Sequence, residues 1–378
     1  MPSTFRSALG AAGAGGGAAL GQLYIWGDNA FGELGVDPAT APEYSSPVAV
    51  ASTILGTANN IAYGGLFVKD DGTLWSSGRN NAGQLGLGDV TNRSAFTQVG
   101  SDTDWYSGPE YYNSSAVTVY FVSIIKEDGT LWMWGENNNG QLGDGTVIDK
   151  SSPVQVGAGT DWSKTSDGWY HAIKLKTDGT LWAWGYNAQG QLGLGDTTNR
   201  SSPVQVGADT DWSDISCGQY HTLAVKTDGT LWAWGLGNSG QLMQGSLTSY
   251  SSPVQVGAST DWVAVAGGAS FSLALKTDGT VWGCGENGDG QLGQGDISLY
   301  TSPVQVGIDT DWSKIDAGQE NSFGIKTNGT LWAWGRNNVG QLGLGDTTSR
   351  SSPVQVGAET DWTSVSANHY NVFATRSA

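Results

Sequence analysis

The residue types that carry most enzyme chemistry are scarce in this chain, with three histidines and two cysteines among 378 residues. His171 and His221 occupy the same place in neighbouring units, in the contexts WYHA and QYHT, while His369 is offset by two. A metal site built on two histidines needs a third ligand, and no Cys/His/Glu cluster supplies one. Hydrogen-bonded structural histidines are therefore expected, with no metal and no cofactor. Cys217 sits in an Ile-Ser-Cys-Gly turn and Cys284 stands where other units carry tryptophan. Neither has a local histidine to activate it. The loops Gly195–Arg200 (GDTTNR) and Gly345–Arg350 (GDTTSR) place Asp beside Gly but lack the ladder of oxygens that calcium needs. An Asp bonding its own backbone in a turn is the expected role. The glycine-rich loops precede no helix and so do not read as phosphate cradles. No catalytic residue emerges, and an enzyme is not expected.

These residues are positioned by a repeat. The motif Gly-x-Asn-x-x-Gly-Gln-Leu-Gly, or a close variant, begins at Gly27, Gly78, Gly135, Gly185, Gly235, Gly285 and Gly335. Seven units with a period near 50 residues indicate a propeller or a solenoid. Within the unit Asp211–Val256, the runs His221–Lys226 and Leu231–Trp234 flank Thr-Asp-Gly-Thr, a dipeptide signal for a hairpin with a type I′ turn. Two more strands fit around Asp-Trp-Ser and Pro-Val-Gln-Val. Four short strands per unit and no helical periodicity describe a propeller blade.

The phase at the two ends decides between ring and open array. Asp361–Arg376 matches Asp211–Lys226 and stops before the Asp-Gly turn, whereas LYIWG at Leu23–Gly27 matches the strand that follows it. Each end supplies the half-blade the other lacks, and pairing them removes two exposed strand edges. The expected fold is all-β: a closed seven-bladed β-propeller over residues 21–378, its ring closed by N- and C-terminal strands, with a Gly/Ala-rich tail at 1–20. Tryptophans recur in phase at Trp182/Trp184, Trp232/Trp234 and Trp332/Trp334, and at Trp162, Trp212, Trp262, Trp312 and Trp362. Residues repeated at one place in every blade pack against neighbours. Burying a ring of roughly 200 Å² contributes at most about 5 kcal/mol at ~25 cal/mol/Å².

With its ISCGQYHTLAV segment at Ile215–Val225 and its GxNxxGQLG loops, the chain resembles the regulator-of-chromosome-condensation repeat family over residues 21–378. That resemblance implies the propeller, and it implies one of several roles: exchange factors for small GTPases, ubiquitin-ligase modules, or proteins that inhibit enzymes by binding them. The chromatin-bound members use basic segments to hold DNA. Here 35 acidic residues face 17 basic ones for a formal charge of −18, which argues against nucleic acid. No apolar stretch is long enough to span a membrane, and Met1–Leu20 lacks the apolar run of a secretory signal.

The remaining functional signal lies where the repeat varies. An insertion lengthens the third unit, and the stretch Tyr106–Phe121 (YSGPEYYNSSAVTVYF) brings Tyr106, Glu110, Tyr111, Tyr112 and Tyr120. Tyr-rich loops extruded from a periodic scaffold favour protein contacts, and packing on its own blade is the alternative. A second variable set follows the Trp-Gly pair: Asp28, Arg79, Glu136, Tyr186, Leu236, Glu286 and Arg336. Of these, Arg79, Tyr186 and Arg336 are taken as partner-binding candidates. The tail, with Phe5, Arg6 and Leu9, is read as an anchor. Together these features lead to a non-catalytic interaction module, an accessory structural protein of a virion (capsid or tail) or a similar surface assembly, with protein partners. The alternatives are a regulatory binder, such as a GTPase exchange factor or enzyme inhibitor, and a carbohydrate-binding propeller with tryptophans exposed on one face.

Overall fold

The computed structural model describes residues 21–50, 56–61, 63–105 and 120–377. They form seven antiparallel sheets and, among the described residues, no helix. Five sheets are complete four-stranded meanders, taken here as blades 2, 4, 5, 6 and 7. Blade 4 is typical, with strands Trp162–Asp167, His171–Lys176, Leu181–Gly185 and Arg200–Gln205 in that order. In blade 3 the strands Phe121–Ile125, Leu131–Gly135 and Lys150–Gln155 pair, and among the described residues a bridge between Trp105 and Lys126 stands at the first position.

Blade 1 is assembled from both ends of the chain. Strand Gln22–Asp28 pairs antiparallel with Asn371–Arg376 over six residues, Gln22 opposite Arg376 and Gly27 opposite Asn371. Glu43–Ala49 and Trp362–Ala367 complete the sheet on either side. The ring closes as its phase requires.

First strands pack beside first strands of the neighbouring blades around the axis, while fourth strands such as Arg200–Gln205 are half-buried at the rim, with only Ser202 exposed. The inner strands are tied by side chains that cap the next blade's backbone. Ser166 Oγ accepts the Cys217 N–H at 2.9 Å and Ser216 Oγ accepts that of Gly267 at 2.9 Å. In blade 7 the equivalent residue is Asp316, whose carboxylate accepts the Ala367 N–H of blade 1 at 2.6 Å.

The structure gives the repeat motif its physical meaning. Asn187 Nδ2 donates to the carbonyls of Asp196 and Thr198, and its Oδ1 accepts the Leu192 N–H, so one side chain holds the whole loop between third and fourth strands. The following Gln191 offers its carbonyl to the indole N–H of Trp234 in the next blade at 2.9 Å. The same rivet joins Trp184 to Gln141, Trp334 to Gln291 and, across the closure seam, Trp26 to Gln341. These tryptophans have no exposed surface. Where Cys284 replaces tryptophan, its thiol donates instead to the carbonyl one residue earlier, Gly240 O, at 3.0 Å.

A second set of tryptophans flanks lysine. Lys176 Nζ lies 4.9 Å from the Trp162 ring and 4.8 Å from Trp182, and it pairs with Asp161 at 3.2 Å. The arrangement recurs at Lys126, Lys226, Lys276 and Lys326, with Arg376 in the closing blade. The repeated tryptophans are thus used in packing and not displayed on a face, which removes the feature the carbohydrate-binding alternative relied on.

One local expectation is corrected. The Asp-Gly turns are not type I′, because Asp178 does not enter the positive-φ region and only Gly179 does, at 79°. Gly179 N donates to Lys176 O and Lys176 N donates to Thr180 O, which is a type I turn closed by a glycine bulge. The carboxylate of Asp178 selects this geometry by accepting both the backbone N–H and the hydroxyl of Thr180, and Thr180 Oγ1 in turn accepts the Trp182 indole N–H.

Candidate functional site

In a four-stranded meander the turns between strands one and two, and between three and four, emerge on the same face. That parity gathers the short segments before His171, His221 and Asn371 together with every residue that follows the Trp-Gly pair. The outcome is an arc of half-buried aromatic rings running from blade 1 through blade 5.

At one end, His369 stacks on Tyr370 with ring centroids 3.5 Å apart. Tyr370 lies 5.5 Å from Tyr63, and Tyr63 lies 5.6 Å from Phe31. Tyr63 has φ of 59°, a left-handed backbone in a residue with a bulky side chain. Such a conformation costs on the order of 1–2 kcal/mol and is held only where surrounding contacts over-determine it. Burial and the neighbouring Tyr370 push its hydroxyl up to about 12.

Arg79 stands at the centre. Its guanidinium carbon is 5.5 Å from the Phe31 ring, 5.3 Å from Tyr63 and 5.4 Å from Tyr120. Among the described residues its partners are rings and not a carboxylate. A cation held this way keeps its in-plane N–H donors for another molecule.

Beyond Tyr120 the arc continues into blades 4 and 5. Trp169 lies 6.0 Å from Tyr220, Tyr170 lies 6.3 Å from Tyr186, and Tyr186 lies 6.1 Å from Tyr220. Desolvation raises the Tyr170 hydroxyl above its ordinary range, with the Glu136 carboxylate adding to it. Tyr170 therefore remains a neutral phenol at physiological pH.

Of the expected partner-binding residues, the structure brings Arg79 and Tyr120 into contact and sets Tyr186 in the adjoining cluster. Arg336 lies on the same face but is already paired with Glu320. Tyr106, Glu110, Tyr111 and Tyr112, and the tail residues Phe5, Arg6 and Leu9, lie outside the described residues. The sequence reading missed Phe31, Tyr63, Trp169, Tyr170, Tyr220 and Tyr370. The signal was present in WYHA and QYHT, where attention went to the histidine and not to the ring before it.

His171 and His221 are wholly buried, and their Nε2 atoms meet Thr222 Oγ1 at 3.3 Å and Ser272 Oγ at 2.8 Å in the next blade. Desolvation lowers both to about 3, so they stay neutral and join blades. Cys217 is buried and its thiol is pushed up to about 12 by desolvation, the opposite of what a nucleophile needs. Asp196 accepts the Thr198 N–H at 2.9 Å and pairs with Arg200 at 2.6 Å, closing the loop on itself. The chemistry on offer is recognition: stacking, apolar contact and one aromatic-held cation.

A family description, RCC1-like domain, matches residues 22–374. The chain belongs to the RCC1-like domain family. The X-linked retinitis pigmentosa GTPase regulator of Homo sapiens is 32% identical over 141 residues, covering 36% of this chain and 13% of that protein. The ultraviolet-B receptor UVR8 of Arabidopsis thaliana is 29% identical over 160 residues, covering 41% of this chain and 35% of that protein. The matched RCC1-like stretch is thus a minor part of both relatives. Human WBSCR16 superposes with a TM-score of 0.82 at 19% identity, covering 95% of this chain and 99% of that one. Yeast RCC1 (Prp20), crystallised bound to Kap60, superposes at 0.80 and 18% identity, covering 95% and 90%. At these identities the likeness shows the RCC1-like ring and nothing finer.

Proposed function

We propose that the protein is a non-catalytic docking module whose partner is another protein, bound on the face that carries the aromatic arc. The observation behind this reading is Arg79 held among Phe31, Tyr63 and Tyr120 and flanked by the Trp169–Tyr220 cluster. Tyrosine, tryptophan and arginine are the residues that dominate protein interfaces, because they bury large rigid area while keeping a polar end. Here they are concentrated on half of one face while the repeated tryptophans stay in the blades. A photo-crosslinking residue at Tyr186 or Tyr220 is expected to trap the partner in the native source, whereas one at Ile308, which is 91% exposed on the opposite face, is not. Equal trapping from both positions would discard this face.

A regulatory role is the second reading, favoured by relatives named as a GTPase regulator and as RCC1. It predicts that the purified ring accelerates release of a fluorescent nucleotide from a small GTPase, and that Arg79→Ala abolishes the acceleration. Membership of a virion or comparable surface assembly rests on the tail alone. Removing residues 1–20 tests it: incorporation is lost while the ring's melting temperature is unchanged.

A further inference from the structure

We infer that the protein segment docked on the aromatic arc is acidic and sets a side-chain carboxylate on Arg79. This deepens the docking reading given above and rests on it. Among the described residues there are six arginines, and five of them hold a carboxylate, as Arg200 holds Asp196 and Arg376 holds Asp361. Acidic residues outnumber basic ones 35 to 17, so a carboxylate from the chain is the ordinary fate of an arginine here. Arg79 is the exception, half-buried among the rings of Phe31, Tyr63 and Tyr120.

The chain contains its own version of the contact. Arg79 N donates to Tyr63 O at 2.7 Å, and Arg336 N donates to Glu320 O at 2.9 Å, so the two arginines occupy the same backbone place in blades 2 and 7. In blade 7 the residue across that bond is Glu320, and its carboxylate takes the Arg336 guanidinium. In blade 2 the residue across it is Tyr63, which supplies a ring and no acid. Blade 2 thus repeats the arginine of blade 7 without its carboxylate. The rings do not stand in for one. A π face attracts the cation but leaves its in-plane N–H donors unused, and a carboxylate accepts two of them in parallel.

The neighbouring acids do not fill this role and narrow the choice of ligand. Asp28 and Glu136 hold the equivalent positions in the blades on either side. The Asp28 carboxylate accepts the backbone N–H groups of Asn29 and Ala30, and that of Glu136 accepts the Asn138 amide. A phosphoryl group, with close to two charges, would meet both acids and the repulsion of a chain at −18. A carboxylate carries one charge and has the precedent of Glu320.

The test uses the whole protein and random twelve-residue peptides displayed on phage, selected on the wild type and on Arg79→Gln, with melting curves confirming that the variant ring is folded. The peptides compared are those trapped by a photo-crosslinker at Tyr186 and not by one at Ile308. Wild-type peptides are expected to be enriched in Asp and Glu, against the ring's own charge, and to bind Arg79→Gln roughly tenfold more weakly. Arg79→Glu is expected to turn the preference to Lys and Arg. Equal acid content in the peptides from wild type and Arg79→Gln overturns the acidic partner, while their trapping at Tyr186 keeps the docking face. No trapping at Tyr186 removes the face and this inference with it. Displacement of the peptides by phosphate at lower concentration than by acetate assigns Arg79 to a phosphoryl group and also overturns it.

Discussion

Asp316 occupies a place that serine fills in blades 4 and 5, and that single exchange sets a pH dependence. Desolvation raises its carboxyl to about 7 from a reference of 3.8, and Glu33, standing where the repeat has glutamine, is likewise raised to about 7 from 4.5 by burial. Both groups bind protons more tightly folded than unfolded. Stability is therefore greatest below the unfolded values and falls as pH rises toward 7, beyond which the penalty is constant. Asp316→Ser and Glu33→Gln are expected to stabilise the ring at pH 8, by on the order of 2–3 kcal/mol each, and to have little effect at pH 4. Urea titrations at the two pH values check this, and an equal gain at both would refute it. Cys217 yields a further expectation at the same scale. With its thiol raised to about 12 and no exposed surface, it should resist iodoacetamide in the folded protein and react on denaturation, as counted by mass spectrometry.

Among the elements, the loop after each third strand is the most tightly specified. Gly193 has φ of 72°, and a β-carbon there would stand 2.7 Å from Trp234 Nε1, the indole that rivets blade 5 to blade 4. Gly207, at a similar φ of 63°, has nothing within 4 Å. Gly193→Ala is therefore expected to cost on the order of 3 kcal/mol and Gly207→Ala about 1 kcal/mol, compared by denaturant midpoint. Equal losses would mean that backbone conformation alone governs the site. The contrast also marks what was legible beforehand. Strand positions followed from the period, and ring closure followed from the phase of Leu23–Gly27 against Asp361–Arg376. The turn type did not, because Asp-Gly fits both a two-residue hairpin and a bulged one. What separates them is the Asp178–Thr180–Trp182 hydrogen-bond chain, which involves residues on both sides of the dipeptide. The aromatic arc stayed hidden for a topological reason. Its members come from two non-adjacent turns of each blade, and only the folded meander places them side by side.

At the scale of the whole ring, six blades are continuous in the chain and one is not. The bond from Arg376 Nη1 to the Tyr24 hydroxyl at 3.0 Å joins residues 352 positions apart. Joining residues 21 and 377 by a short flexible linker and opening the chain in the exposed connection at 207–210 is expected to give a folded permutant. Its far-ultraviolet spectrum and melting curve should match those of the parent. A permutant that fails to fold would mean that the seam at blade 1 has a role in folding beyond completing the sheet. In the natural order of synthesis, strand Gln22–Asp28 emerges from the ribosome early and waits for its inner neighbour until every other blade has been made. Throughout that interval an apolar strand, with Leu23 and Trp26 destined for the interior, keeps one side open to any other extended chain. The joint that gives the finished wheel no loose margin is therefore also the place where a crowded, half-made population would begin to cross-pair, each molecule offering its opening strand to a stranger's.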